Sequence, residues 1–512
     1  MLNLLKRFPK KSTKQNVLKP DTPKQHSQFR KAIAKVITPV GTGFFKRALG
    51  INTNRISGSS GEGITAPINR AIGAHQQQQV MFQARDLVVN NPLAANYIRI
   101  VTDGVVGSKG INPTVSLVDS KTGELNAALN KRISDEWLKF AENPKRFSLN
   151  KKFTFKQFLR EVSKARIIDG ESFIRIHRFE TGMKVEIIPS ERIDRNMTKQ
   201  GEEPDTVIYQ GIEFDIDTNE VIAYWLRDFD ILTQTYSVIS ERIPADEILH
   251  HYDGVLPDSY RGVTDFLASM NLMNHLNDFT FASLVQKQIT AASMTFLERD
   301  KSQDSMLDDD EGEHQEITQE MSPGLIMELP AGYSAKSVTA NSNGDSYESF
   351  AESTIEQIAA GLGVYSNALL NSTKNVNFSS ARFGQLQTNA RFAILRDKLK
   401  EQVIIPLFEE FLRCCVDDNV LPLTQKAVDD VIFNTTFSGE GMKSVDPIKE
   451  YQAYEVAVRN KFMSRHEAII AIGGDPQKVD EEIDADKQSI VPKPANQNFP
   501  ENDSLNNDVI QQ

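Results

Sequence analysis

The chain has 512 residues, 39% hydrophobic and 25% charged, a composition that buries a substantial core in roughly two to four structural units. Net charge is −11 and unevenly placed: residues 1–56 hold 13 Lys and Arg against the single acid Asp21, a balance of +12 that leaves −23 on the remainder. No stretch approaches the roughly 18 apolar residues of a membrane span, the start lacks an apolar core of signal-peptide length, and the two cysteines, Cys414 and Cys415, are adjacent on a predicted helix where they cannot easily bridge; these features point to a cytoplasmic protein of a reducing compartment and against metal binding.

Residues 1–56 read as a disordered, soluble leader, favoured by their Lys, Gln, Ser and Pro content, or as a basic arm for nucleic acid or an acidic partner. Helical spacing then runs from about Ile68 to Val89. Asn91 and Pro92 supply the N-cap and first position of a second helix, continued to about Val106 and ended by Gly107. Strands are expected at Thr114–Val118, Glu171–Arg178, Lys184–Pro189, Thr206–Ile212 and Val221–Arg227, with a helix at Phe155–Ile168 after the first and a turn from Asp215 to Asn219. From Val263 to Leu297 neither Gly nor Pro interrupts the pattern, and Phe266, Met270, Met273, Phe281, Leu284, Val285, Ile289 and Phe296 keep helical spacing. At about 1.5 Å per residue this predicts a rod of roughly 50 Å.

Residues 298–320 are acidic and read as a solvated loop; Asp308–Glu313 lacks the ligand spacing of an EF-hand. Gly324–Tyr333 reads as a strand and turn, and Ala335–Ala340 as a second strand. The most informative stretch is 346–412. Phe350, Ala351, Ile355 and Ile358 share a helical face that Gly361 and Gly363 stop. Tyr365–Phe378, rich in Asn, Ser and Thr, is expected to be a loop, because those side chains compete with helix for nearby backbone. Ser379 or Ser380 then caps a long helix through Leu386, Arg391, Leu395, Leu399, Val403, Leu407 and Phe411. The acidic, amide-rich stretch from Gly473 to Gln512 reads as an unpacked tail.

Enzymatic readings fare poorly. Gly104-Val-Val-Gly107-Ser-Lys109-Gly110 only imitates a phosphate loop, and Gly58-Ser-Ser-Gly61 has the wrong spacing for a nucleophile elbow. His250 and His251 point to opposite faces of a strand, and read as structural. Asp169 and Glu171 could form an acid/base pair on one side of a strand, but Gly170 between them points to a tight turn.

The word Ile358-Ala-Ala-Gly-Leu-Gly-Val364, followed by Asn377-Phe-Ser-Ser-Ala-Arg382, resembles the portal proteins of tailed bacteriophages, specifically the lambda-type family. Further words match in the family's order: Ala84-Arg85-Asp86-Leu87 with Asn90-Asn91-Pro92, Asp103-Gly104-Val105-Val106-Gly107, Asp169-Gly170-Glu171-Ser172, Ile248-Leu249-His250, Arg261-Gly262-Val263, Asp446-Pro447, Ser464-Arg465 and Gly473-Gly474-Asp475. Val89 stands where an Arg is usual, Phe378 replaces a Tyr, and Ser259-Tyr260 replace a Gln-containing turn. The resemblance spans roughly 68–490 and implies an α+β, portal-type ring subunit with a mixed α/β wing, long stem helices, a small α/β clip and a helical C-terminal crown.

Laid on this chain, that organisation gives a basic flexible arm at 1–60, wing at 61–255, first stem helix at 256–297 and clip with acidic loop at 298–345. The second stem helix follows at 346–364, the tunnel loop at 365–378, a long helix returning to the wing at 379–445, the crown at 446–490 and a disordered acidic tail at 491–512. It implies a non-enzymatic dodecamer at one capsid vertex of the virion, assembled in the host bacterial cytoplasm, with no cofactor, no metal and no membrane. Double-stranded DNA passes non-specifically during packaging and ejection, and the partners implied are the terminase large subunit, a major capsid or scaffold protein and a head-tail adaptor. Asn371, Lys374, Asn375 and Asn377 are the expected DNA-channel residues, and Phe281, Val285 and Ile289 the expected stem-assembly residues. Two other readings stand beside it: a soluble DNA-binding adaptor acting through its basic N-terminal arm, and a hydrolase using Asp169, Glu171 or His250.

Overall fold

A computed structural model of the chain describes residue 69 and residues 73–118, 126–201, 203, 205–291, 295–299, 333–337, 344–374, 377–440, 447–474 and 476–489. The chain divides into two compact units, one from residues 1–105 and 140–420, the other from 106–139 and 421–512. In chain order the elements are α1 Ala74–Asn90, α2 Pro92–Val105, β1 Ile111–Val115, α3 Ala127–Ala141, α4 Pro144–Phe147, α5 Phe155–Asp169, β2 Glu171–Arg178, β3 Met183–Ile188, β4 Lys199–Gln200, β5 Thr206–Tyr209, β6 Ile212–Asp215, β7 Val221–Asp230, β8 Thr235–Pro244 and β9 Ile248–Tyr252. There follow α6 Met270–Ala291, β10 Thr295–Arg299, β11 Tyr333–Ser337, α7 Gly344–Leu362, α8 Ser366–Leu370, α9 Phe378–Leu399, α10 Ile405–Asp417, α11 Gln425–Phe433, β12 Thr435–Gly439, α12 Pro447–Arg459, α13 Arg465–Ala471 and α14 Pro476–Ser489.

The first unit mixes helix and sheet. Asn91 Oδ1 accepts from the Leu93 and Ala94 amides at 2.9 and 3.3 Å, so Asn91 and Pro92 start α2 as the sequence predicts. Thr154 and Gln157 form a reciprocal capping box at the start of α5, and Gly170, at φ +88°, closes its end in the left-handed region. β2 is the central strand of a three-stranded sheet ordered β3-β2-β9, and β4 to β8 form an antiparallel meander. The two sheets share one core of Phe173, Ile188, Ile193, Ile212, Phe214, Tyr224, Leu226, Ile243 and Ile248, where each large side chain removed from water contributes about 1.5–3 kcal/mol. The predicted single strand Thr206–Ile212 is two strands: Gln210 and Gly211 both take positive φ, 50° and 77°, and turn a tight hairpin in which Gln stands where Asn is usual.

The long predicted rod is shorter than its pattern. Residues 263 and 264 are irregular and 265–269 form turns, because Thr264 Oγ1 donates to the Ile167 carbonyl at 3.0 Å and Asp265 accepts from Arg166 at 2.7 Å, which ties them to α5. At the other end the helix stops at Ala291, since Thr295–Arg299 pair antiparallel with Tyr333–Ser337. That pairing also moves the expected strand Ala335–Ala340 to Tyr333–Ser337, while Gly324–Leu329 and the acidic run Asp308–Glu313 lie outside the described residues. α6 and α7 pack together: Phe279 stacks on Tyr347 at 5.5 Å and meets Phe350 edge-on at 4.7 Å, and Ser269 Oγ donates to the Ile358 carbonyl at 3.1 Å. α9 and α10 are one continuous rod with a π turn at Lys400–Ile404, placed where Pro406 cannot donate to the ladder.

The second unit pairs β1 with β12. The strand expected at Thr114–Val118 therefore begins at Ile111 and ends at Val115, and its continuation is fixed by Asn130, which donates to the Leu117 carbonyl and accepts from its amide. Pro476–Ser489 is helical where an unpacked tail is expected. Ion pairs Arg465–Asp480 and Lys131–Glu481 bind its acidic face to α13 and α3.

Candidate functional site: a polar arc between three helices

The arc after α7 begins at Gly363, at φ +69°, whose missing Cβ lets the Arg391 guanidinium pass; a Cβ there would lie 2.8 Å from Arg391 Nη1. Instead of continuous loop, residues 366–370 form the short helix α8. Tertiary bonding overrides the local polarity: Asn96 Nδ2 donates to the Ala368 and Leu369 carbonyls at 3.2 and 2.8 Å, and Leu369 is fully buried. The Tyr365 amide donates to Thr388 Oγ1 at 3.2 Å, and the Tyr365 ring lies so close to Gly384 that a Cβ there would clash. α8 is thus a fixed base on α2 and α9. Among the described residues of 371–377 that follow it, Asn371, Thr373, Lys374 and Asn377 are exposed and Ser372 is half-buried.

Within that arc the four sequence candidates part company. Asn371 ends α8 in the left-handed region, at φ 51°, and is exposed. Lys374 is exposed and ion-paired with Glu348 on α7, which raises its pKa through the hydrogen bond and charge of that carboxylate. Asn377, not Ser379 or Ser380, is the N-cap of α9: its Oδ1 accepts from the Ser380 amide at 2.8 Å, and Ser380 Oγ accepts from the Asn377 amide at 3.2 Å. Asn375 lies outside the described residues.

Of the stem-assembly candidates, Phe281 is 68% exposed on α6, Val285 is half-buried, and the Ile289 side chain lies outside the described residues. Sequence reasoning missed that α9 is apolar on two faces. Phe392, Leu395 and Leu399 face the core, while Phe383, Leu386 and Ile394, each at least 60% exposed, form an outward stripe. Their i, i+3 and i+11 spacing was the available signal.

A second polar centre lies beneath the sheet. Glu171 is fully buried and accepts from six donors: Ser190 Oγ, Arg195 Nη2 and Arg261 Nη2 at Oε1, and Arg261 Nε, His250 Nε2 and the Gly262 amide at Oε2. Burial alone would raise its pKa, but Arg261, His250 and Arg195 hold it well below the usual carboxylate range. Asp169 is not its partner on a strand. It ends α5 and takes a bidentate pair from Arg85 at 2.7 and 2.8 Å. Burial pushes His250 down, and pushes His251 down to about 3; the first stacks on Phe173 at 4.2 Å, and the second bonds Gln402 at 2.7 Å from the other face of β9. A carboxylate with every lone pair occupied has no role as acid or base; this centre is a staple.

The staple joins stretches far apart in sequence. Arg85, Asp169–Glu171, His250 and Arg261–Gly262 meet there, and the Gly262 and Gly170 backbones approach so closely that a Cβ on Gly262 would sit 2.0 Å from the Gly170 oxygen. A second node lies at the end of α7: Asp265 accepts from Tyr97 at 2.9 Å and Arg166 at 2.7 Å, and the Tyr97 hydroxyl also lies 3.3 Å from the Leu362 carbonyl.

Comparison with known proteins identifies relatives of the chain. The family model described as phage portal protein, lambda family, matches residues 62–396. The probable portal protein of Halomonas phage phiHAP-1 is 23% identical over 425 residues, covering 80% of this chain and 81% of its own. Portal protein B of Escherichia phage lambda is 23% identical over 437 residues, covering 78% and 81%. Among solved structures, a chain from the neck of a native GTA particle computed with C12 symmetry has a TM-score of 0.41 at 10% identity, covering 79% of this chain and 95% of that one.

Proposed function

The chain belongs to the lambda family of phage portal proteins, and from that premise we propose that copies of it form a ring, a dodecamer, at the capsid vertex, with the arc 371–377 facing the duplex that passes through. The observation that carries the proposal is the arc itself: a stretch with one cation, Lys374, in which Asn371, Thr373, Lys374 and Asn377 are exposed, bracketed by the docked α8 and the capped start of α9. A channel must guide DNA without holding it, and each Lys or Arg on a phosphate adds counterion-release affinity. An acidic chain, at −11 overall, with one lysine on the arc, keeps that affinity low. Amides such as Asn371 steady a duplex without reading sequence.

A ring of identical copies needs two different complementary surfaces on each subunit. The outward faces of α6, with Phe281, and of α9, with Phe383, Leu386 and Ile394, supply apolar surface for that role. The subunit is non-enzymatic in this reading. A separate terminase drives the DNA, and a capsid or scaffold protein and a head-tail adaptor bind the ring. Particle mass tests the reading: purified protein should give rings many times the mass of one chain by mass photometry and electron microscopy. A monomer or dimer with strong, salt-dependent DNA affinity would instead favour the adaptor acting through residues 1–56.

A further inference from the structure

Helix α7 presents an acidic row beside the arc. Glu348, Glu352 and Glu356 stand four residues apart, hence one above another on a helical face, about 6 Å from turn to turn, and all three are exposed. Lys374, the one cation between Gly363 and Ser380, makes its ion pair with the first of them, and the charge of Glu352 also acts on its ammonium. The main chain of Lys374 is held independently: its amide donates to Ser372 Oγ at 3.2 Å, and its carbonyl accepts from Asn367 Nδ2 at 3.5 Å on α8. Side chain and backbone together fold residues 372–374 back against α7 and α8.

We propose that Glu348 is the positioning residue of the arc: it latches Lys374 to α7 when the channel is empty and yields it to a DNA phosphate when duplex passes. This rests on the reading of 371–377 as DNA-facing. An exposed ion pair is weak and is screened by salt, which suits a catch that must open and close many times. A phosphate presents the same charge as the carboxylate and competes for the same ammonium, so the position of the arc follows the presence of DNA by a shift between two states. The buried side of α7 is formed by Thr354, Ile358, Ala359 and Leu362, so altering Glu348 leaves the packing of the helix untouched.

The test is hydrogen exchange, followed by mass spectrometry, on the full-length protein and on three variants: Glu348→Gln, Lys374→Glu, and the charge-swapped double variant Glu348→Lys with Lys374→Glu. Each single change should speed exchange of the 371–374 amides about two- to fivefold, with α8 and α9 unchanged, and the double variant should restore slow exchange. Unchanged exchange in Glu348→Gln, or failure of the swap to restore it, overturns the latch. Genome content of particles carrying the double variant tests the handover. With the catch restored but a carboxylate on the arc, content should fall, and normal content would overturn the step in which phosphate takes Lys374. Neither result is confused with failure of the DNA-facing reading, which is judged by shortening the arc in an otherwise unaltered ring.

Discussion

Replacing Arg261 by Met removes the guanidinium that grips both oxygens of Glu171 while keeping much of its volume. Glu171 is fully buried, and removing one partner of a buried pair costs about 3–5 kcal/mol because the other charge is left uncompensated. Arg195, 3.0 Å from Glu171 Oε1, remains, so the loss belongs near the lower end, about 3 kcal/mol. For a unit of several hundred residues that corresponds to a melting midpoint lowered by about 3–5 °C. The pH dependence is the sharper signature. In the parent chain the folded-state pKa of Glu171 is depressed, so its stabilisation is present above the ordinary value of 4.5 and fades as pH falls below it. In the variant, burial is offset only by Arg195, His250 and the remaining donors, so the folded pKa rises and protonation relieves part of the cost. The gap between parent and variant, read by calorimetry or circular dichroism, should therefore be widest near pH 7 and shrink as pH falls toward 4. A gap that is constant with pH, or no loss at pH 7, would refute the staple.

Two further outcomes follow from the same geometry. Gly170→Ala forces a side chain into φ +88° with its Cβ 2.3–2.5 Å from the Val263 backbone, and should cost at least about 2–3 kcal/mol in denaturant titration; a neutral effect would mean that the α5–β2 corner relaxes freely. Phe281→Ser acts on an exposed side chain, so single-chain stability should change by no more than about 0.5 kcal/mol while the yield of rings, counted by electron microscopy, falls sharply; full rings at normal yield would remove Phe281 from any subunit contact.

Local signals carried much of the fold into the sequence. The Asn91-Pro92 start of α2, the strand Glu171–Arg178 and the long rod of α9 and α10 are written in caps, alternation and spacing, and the structure has them at or within a few residues of the expected positions. What the sequence did not reveal is non-local. Thr295–Leu297 keeps helical spacing, yet pairs as a strand with a segment some forty residues on. α8 forms in an Asn- and Ser-rich stretch where Asn96, far upstream, bonds its last carbonyls and Leu369 is buried. The staple is the clearest case: Arg85, Asp169, Glu171, His250 and Arg261 were each visible as parts of separate words, but nothing in their spacing said that they meet. Among the channel candidates, Asn377 is occupied as a helix cap, a role that any Asn before a helical run can take.

Shortening 371–377 to a Gly-Ser link tests the central claim most directly. The link places a Ser before Phe378, in the capping position that Asn377 holds, and α8 and α9 keep their packing, so rings should assemble near normally. DNA content per particle, measured on particles whose portal incorporation is verified, should fall below full genome length, and Lys374→Ala alone should act more weakly, since one exposed phosphate contact contributes little. Full-length genomes in particles carrying the shortened arc would contradict the account and leave 371–377 as a connector between helices.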